Sequence, residues 1–134
     1  MTCLFCDWLE KKQQIVWEDD NVVVFVANLA YTKGHLLVCS KKHYESIYDA
    51  PQNVRKDVFD TCLNMGKRLQ DKLSIQGYTL GLNEKLYIVQ PNKKTHIKHL
   101  HMHVIPRSGE KISFEERVHL TNDEVQELIK ILKD

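Results

Sequence analysis

Apolar residues fall into runs whose period shifts between two and about three and a half, and those shifts mark out the elements. Ile15-Val16-Trp17 and Val22-Val23-Val24-Phe25-Val26 are β-branched and aromatic, the composition that suits a pleated, half-buried surface. The polar stretch Glu18-Asp19-Asp20-Asn21 between them predicts a hairpin. Gly34 leads into a third strand, His35-Leu36-Leu37-Val38-Cys39. Tyr78-Thr79-Leu80-Gly81-Leu82-Asn83 reads as a fourth, and Leu100-His101-Met102-His103-Val104-Ile105 as a fifth, ended by Pro106.

Between the third and fourth runs the period lengthens. Val54, Val58, Cys62, Met65, Leu69 and Leu73 recur at intervals of three and four and predict one long helix over about residues 50–74. Asp49 with Gln52 reads as its cap and Pro51 as part of its first turn. Residues 4–12 predict a short helix carrying Trp8 and Leu9. A last helix over about 122–133 is announced by the capping box Thr121 and Glu124, with Val125, Leu128, Ile129 and Leu132 turned inward. The expected class is α+β: an antiparallel meander sheet with one long helix and short terminal helices. Strands at the end of such a meander are free to pair with a second copy.

Composition adds few constraints. A chain of 134 residues is expected to form one domain, residues 1–134. With 43% hydrophobic and 28% charged residues and a formal net charge of +1, nothing pulls the whole molecule toward nucleic acid or a membrane. The segment Met1 to Asp7 lacks the basic start and apolar run of a secretory signal, and no stretch approaches membrane-spanning length. The expected location is cytoplasmic. There the four cysteines are thiols or metal ligands rather than disulfides. Cys62 falls in the helical stripe and reads as core, while Cys3-Leu4-Phe5-Cys6 has the gap with which a turn brings two thiolates to one zinc ion.

The chemistry concentrates in the fifth strand. His99, His101 and His103 alternate with Leu100, Met102 and Val104, so in an extended backbone three imidazoles share one face. Same-face neighbours lie ~7 Å apart and the outer pair ~13 Å apart, while zinc holds nitrogen at about 2.0–2.1 Å. One ion cannot gather all three, so some of these rings serve another purpose. Neutral imidazole is a nucleophile toward phosphorus that needs no base to deprotonate it, and an ordinary pKa near about 6.5 keeps much of it neutral.

His99-Leu100-His101-Met102-His103-Val104-Ile105 resembles the signature of the histidine triad (HIT) family, and Pro106-Arg107 follows it as in many members. Gly34-His35-Leu36-Leu37-Val38 and Lys41-Lys42-His43 stand at the family's upstream spacing. The likeness spans about residues 3 to 107. It implies an HIT-like fold, usually a homodimer, and an enzyme that hydrolyses or transfers at a nucleotide phosphate, with His101 as the attacking histidine. It places His103 and His35 beside the nucleophile, although His35 on its own reads equally well as a satisfied core histidine. It also implies that Cys3 and Cys6 share a structural zinc with His43 and His99.

The nucleotide-binding positions implied are Asn28, Asn83, Thr95 and Arg107, with two departures from the family pattern. Lys94-Thr95 stands where many relatives have Gly-Gln, and Asn28 stands near the position of a ribose-binding acid. Lys93, Lys94 and Lys98 read either as a solvated loop or as charge for a longer phosphate chain, and Asn28 as a turn residue or a ribose contact. The competing reading is a nucleotide-binding, zinc-stabilised interaction protein with little or no chemistry.

Overall fold

The structure is a computed structural model that describes residues 3–92, 96–109, 111–113 and 116–133. Along the chain run α1 (Leu4–Glu10), β1 (Ile15–Glu18), β2 (Val22–Val26), β3 (Leu29–Ala30), β4 (Leu36–Ser40), a 3-10 turn (Ile47–Asp49), α2 (Gln52–Leu73), β5 (Gly77–Leu82), α3 (Leu86–Val89), β6 (His101–Arg107), β7 (Val118–His119) and α4 (Asn122–Lys133). Five strands form one antiparallel sheet in the order β1-β2-β4-β6-β5. The α+β class, the antiparallel sheet and the single long helix are as expected from the pattern. The last two strands are transposed relative to chain order: β5 takes the outer edge, and β6 returns between β4 and β5.

β2 and β4 are buried at every position, which is why their runs are continuous rather than alternating. On one sheet face Val22, Val24, Val38 and Val104 pack with Val54, Val58, Met65 and Leu69 of α2 and with Val125, Leu128 and Leu132 of α4. On the other, Val23, Phe25, Leu37 and Cys39 pack with Phe5 and Trp8 of α1. Gly66 of α2 sits directly over Tyr78 of β5, where a Cβ would come within 2.3 Å of the ring. Only a residue without a side chain allows that approach.

The capping box of α4 forms as read: Thr121 Oγ1 accepts from the Glu124 N–H at 3.2 Å, and Glu124 Oε1 accepts from the Thr121 N–H at 3.0 Å. The start of α2 differs. Asp49 belongs to the 3-10 turn, whose cap is Ser46, and Pro51 holds the N-cap position of α2 without a side-chain bond. β6 also runs through Pro106 instead of ending there. Pairing with β4 stops at Val104, and the Pro106 carbonyl faces the Thr32 hydroxyl at 3.1 Å on that vacated side. A strand residue directs its N–H and C=O to the same side, so the missing N–H costs β5 no ladder bond.

β3 and β7 form a separate two-stranded ladder, Leu29 opposite His119 and Ala30 opposite Val118. Two-residue strands carry no readable period, and neither they nor the four-residue α3 follow from the pattern of apolar positions. No described helix is long and apolar enough to cross a membrane.

Candidate functional site

Pairing places Cys39 of β4 opposite His101 of β6, and Leu37 opposite His103. The two imidazoles therefore rise from the face that carries Phe5 and Trp8, with ring centroids 5.0 Å apart. On the far side of β6, His103 faces Gly81 of β5. A Cβ there would meet nothing within 4 Å, so that flank is open.

His99 stands apart. It lies in a bend just before β6, its N–H bonded to the Ile97 carbonyl at 2.9 Å, while Leu100 pairs with Tyr44 and Ser40. This corrects the expectation of an extended backbone through all three histidines. The strand begins only at His101, because the Leu100 N–H turns to the Tyr44 carbonyl in the loop after β4. The His99 ring still packs on Phe5, as the His101 ring does.

Main-chain partners set the tautomers. His101 Nδ1–H donates to the His99 carbonyl at 2.6 Å, leaving the lone pair on Nε2. His99 Nε2–H donates to the Ser40 carbonyl at 2.6 Å, leaving its lone pair on Nδ1. The Tyr31 N–H donates to His35 Nδ1 at 3.1 Å, so His35 carries its proton on Nε2 and gives it to His103 Nδ1 at 2.9 Å. His103 Nε2 then faces the Asn83 amide at 3.4 Å.

Burial holds these rings neutral. It pushes His35 down to about 3 and His103 down to about 2, and it also lowers His101. The nearby Arg117 charge adds to the effect on all three.

A cavity of about 130 Å³ opens beside them, its lining including His35, His101, His103, Asn28 and Arg117 together with Leu4, Phe5, Trp8, Leu29, Leu37 and Ile97. A mostly apolar lining with a few polar groups suits a ligand with an anionic group on a flat apolar body. A larger depression, about 980 Å³, lies beyond the Cys3 and Cys6 thiols. None of the three rings His35, His101 and His103 lines it, so the smaller cavity is the one with the chemistry.

The second cluster comprises Cys3, Cys6, His43 and His99, whose ligand atoms all lie within 4.8 Å of one another. His99 Nδ1 is 3.3 Å from Cys3 Sγ, 3.6 Å from Cys6 Sγ and 3.1 Å from His43 Nδ1. Tetrahedral bonds to zinc of about 2.0–2.1 Å for nitrogen and about 2.3 Å for sulfur separate ligand atoms by roughly 3.3–3.8 Å. The set can therefore hold a metal ion, and the Ser40 carbonyl, by taking the proton of the far ring nitrogen, already aims the His99 Nδ1 lone pair at it. Burial, with the Cys3 thiol next to it, pushes the Cys6 thiol up to about 11, so a metal must displace that proton.

Of the remaining expected residues, Asn28 lines the cavity and Asn83 borders His103. Arg107 lies on the histidine face two same-side positions past His103, where its guanidinium bonds Thr79 Oγ1 at 3.0 Å instead of lining the cavity. Thr95, with Lys93 and Lys94, lies outside the described residues. Lys98 sits 5.2 Å over the Tyr87 ring. The pattern gave no hint of Tyr31 and Arg117, which reach the site through the β3–β7 ladder and belong to no motif.

An antiparallel α+β sheet with a buried histidine pair on an interior strand, a small, mostly apolar cavity and a Cys2His2 cluster just upstream defines a protein of the histidine triad class. The chain belongs to the HIT domain family, whose model matches residues 9–110. It is 33% identical over 137 residues to an uncharacterized HIT-like protein of Methanocaldococcus jannaschii, covering 96% of this chain and 98% of that one. It shares its fold with a zinc-bound histidine triad family protein from Mycobacterium smegmatis (TM-score 0.80, 24% identity, 99% of this chain and 91% of that one). The diadenosine triphosphate hydrolase of Plasmodium falciparum is also similar in fold (TM-score 0.73, 17% identity, 90% and 74% covered).

Proposed function

We propose that this protein is an enzyme that hydrolyses or transfers at a nucleotide phosphate linkage by way of a nucleotidyl group carried on His101. One observation carries the reading: the His101 Nδ1–H is committed to the His99 carbonyl at 2.6 Å. Its Nε2 lone pair therefore belongs to a ring that lines the cavity. That lone pair forms a P–N bond to the α-phosphorus as the bond to the leaving group breaks, the electron pair departing with that group. In the second half water adds to phosphorus, the P–N pair returns to Nε2, and the proton released by water balances the one the leaving group takes up. The positive charge on the substituted ring is shared with the His99 carbonyl through Nδ1–H.

His103 and His35 orient the phosphate and the attacking ring, and Asn28 and Asn83 border the nucleotide. Dinucleoside polyphosphates, nucleoside phosphoramidates and adenylylated conjugates are the substrate classes, and the name of the Plasmodium falciparum neighbour fits the first of them. Cys3, Cys6, His43 and His99 hold a zinc ion that is structural, since four protein ligands leave no open position. It ties α1 to the chain entering β6, in the reducing cytoplasm where both thiols persist. The working unit is a homodimer. The unpaired edge of β5 and the exposed Phe59 and Leu63 of α2 support it.

The test is mass spectrometry after brief mixing with members of each substrate class. A nucleotidyl mass on the His101 peptide, absent in His101→Ala, is expected. Turnover in that variant should fall by at least about 10³-fold. Undiminished turnover in His101→Ala rejects the mechanism.

A further inference from the structure

We propose that Arg117 binds the non-bridging oxygens of the phosphate that His101 attacks, so that affinity for a nucleotide depends on this one guanidinium. The inference rests on the nucleotide reading above. A phosphate entering this cavity leaves water for walls that include Leu4, Phe5 and Trp8, and an anion buried without a partner is strongly disfavoured.

Two of the imidazoles there offer no charge. His35 Nδ1 accepts a main-chain N–H and its Nε2–H goes to His103 Nδ1, so both rings are neutral by their bonding alone. Among the described residues lining the cavity, Arg117 is the fixed cation. Its planar fork matches two phosphate oxygens at once.

The fold also holds that fork in place. The ladder of β3 with β7 brings residue 117 against the chain after β3, and the Leu120 N–H donates to the Asn28 carbonyl at 2.8 Å. There the guanidinium carbon lies 3.7 Å over the Tyr31 ring, and one terminal nitrogen donates to the Tyr31 hydroxyl at 2.9 Å. That bond uses one of the five N–H donors of an arginine. Tyr31 in turn stacks on His35 at 5.2 Å with an interplanar angle of 12°. Tyr31 is thus held between Arg117 and His35, and the shared cavity lining brings Arg117 and His101 to one space. A guanidinium set by stacking loses little freedom when the phosphate arrives.

The test is calorimetric titration of the purified, metal-loaded protein with adenosine and guanosine and with their 5′-monophosphates. Wild type should bind a monophosphate at least about tenfold more tightly than its nucleoside, the scale of charge-assisted hydrogen bonds. Arg117→Gln should lose that preference with nucleoside affinity unchanged, and Arg117→Lys should recover part of it. Should Arg117→Gln not fold, a weakened preference in Arg117→Lys carries the test. Full preference in the variants, or equal loss for nucleoside and monophosphate, overturns the role of Arg117 and leaves the nucleotide reading standing. Wild type that binds none of the four compounds overturns both.

Discussion

His101 donates its Nδ1 proton to the main-chain carbonyl of His99 at 2.6 Å, and this bond joins the two halves of the site. The ring of His99 faces the two thiols and His43, while its carbonyl orients the ring beside the cavity. Whatever fixes the His99 ring also fixes the peptide that aims His101.

Metal content follows directly. Protein purified without chelator should carry about one zinc per chain by elemental analysis, and Cys3→Ser or Cys6→Ser should lose it. Because the Cys6 thiol sits at about 11 without metal, binding must release protons, and affinity should fall steeply as pH drops. Cys6→Ser should also lose activity although it does not line the histidine cavity. Full activity in zinc-free protein would separate the two halves.

Stability should depend on pH through His35 and His103, which burial holds down to about 3 and about 2. Unfolded, both take up a proton near about pH 6.5. Below that pH the unfolded chain binds more protons than the folded one, so stability is full above about 6.5 and is lost as pH falls toward 3. The slope is about 1.4 kcal/mol per pH unit for each ring. Urea unfolding at about pH 7 and about pH 4.5 measures it, and His35→Asn should flatten the decline.

Gly66→Ala should destabilise the protein by about 1–3 kcal/mol, the usual effect of overpacking a filled interface. The new methyl would meet three Tyr78 ring carbons at 2.3, 2.5 and 2.6 Å. Thermal unfolding reads the loss, and Gly66→Ala combined with Tyr78→Ala should regain part of it.

Light scattering should give twice the chain mass. Phe59→Glu and Leu63→Glu together place charge on the exposed face of α2 and should shift the protein to monomer. A wild-type monomer would instead leave the β5 edge for another partner.

Much of this was legible in residue order, because periodicity records which side of an element is buried. β2, β4, α2 and α4 follow from spacing alone, the capping box at Thr121 forms as read, and Gly34 and the alternating histidines locate the central strands. Cys3-x-x-Cys6 announces half of a metal cluster. What residue order left open was set by contacts between distant segments. α2 packs across the sheet between β4 and β5 so that β6 inserts inside β5, and the chain bends at His99, where the Leu100 N–H turns to the Tyr44 carbonyl, so the strand itself starts at His101. The two-residue ladder of β3 and β7 has too few positions to show a period, yet it delivers Arg117 to the cavity, with Tyr31 beneath it. By itself the sequence determined which residue types were present to act on phosphorus and metal. Only the tertiary structure decided which ring faces which, because a tautomer and a lone pair are chosen by the carbonyl or N–H that happens to lie opposite.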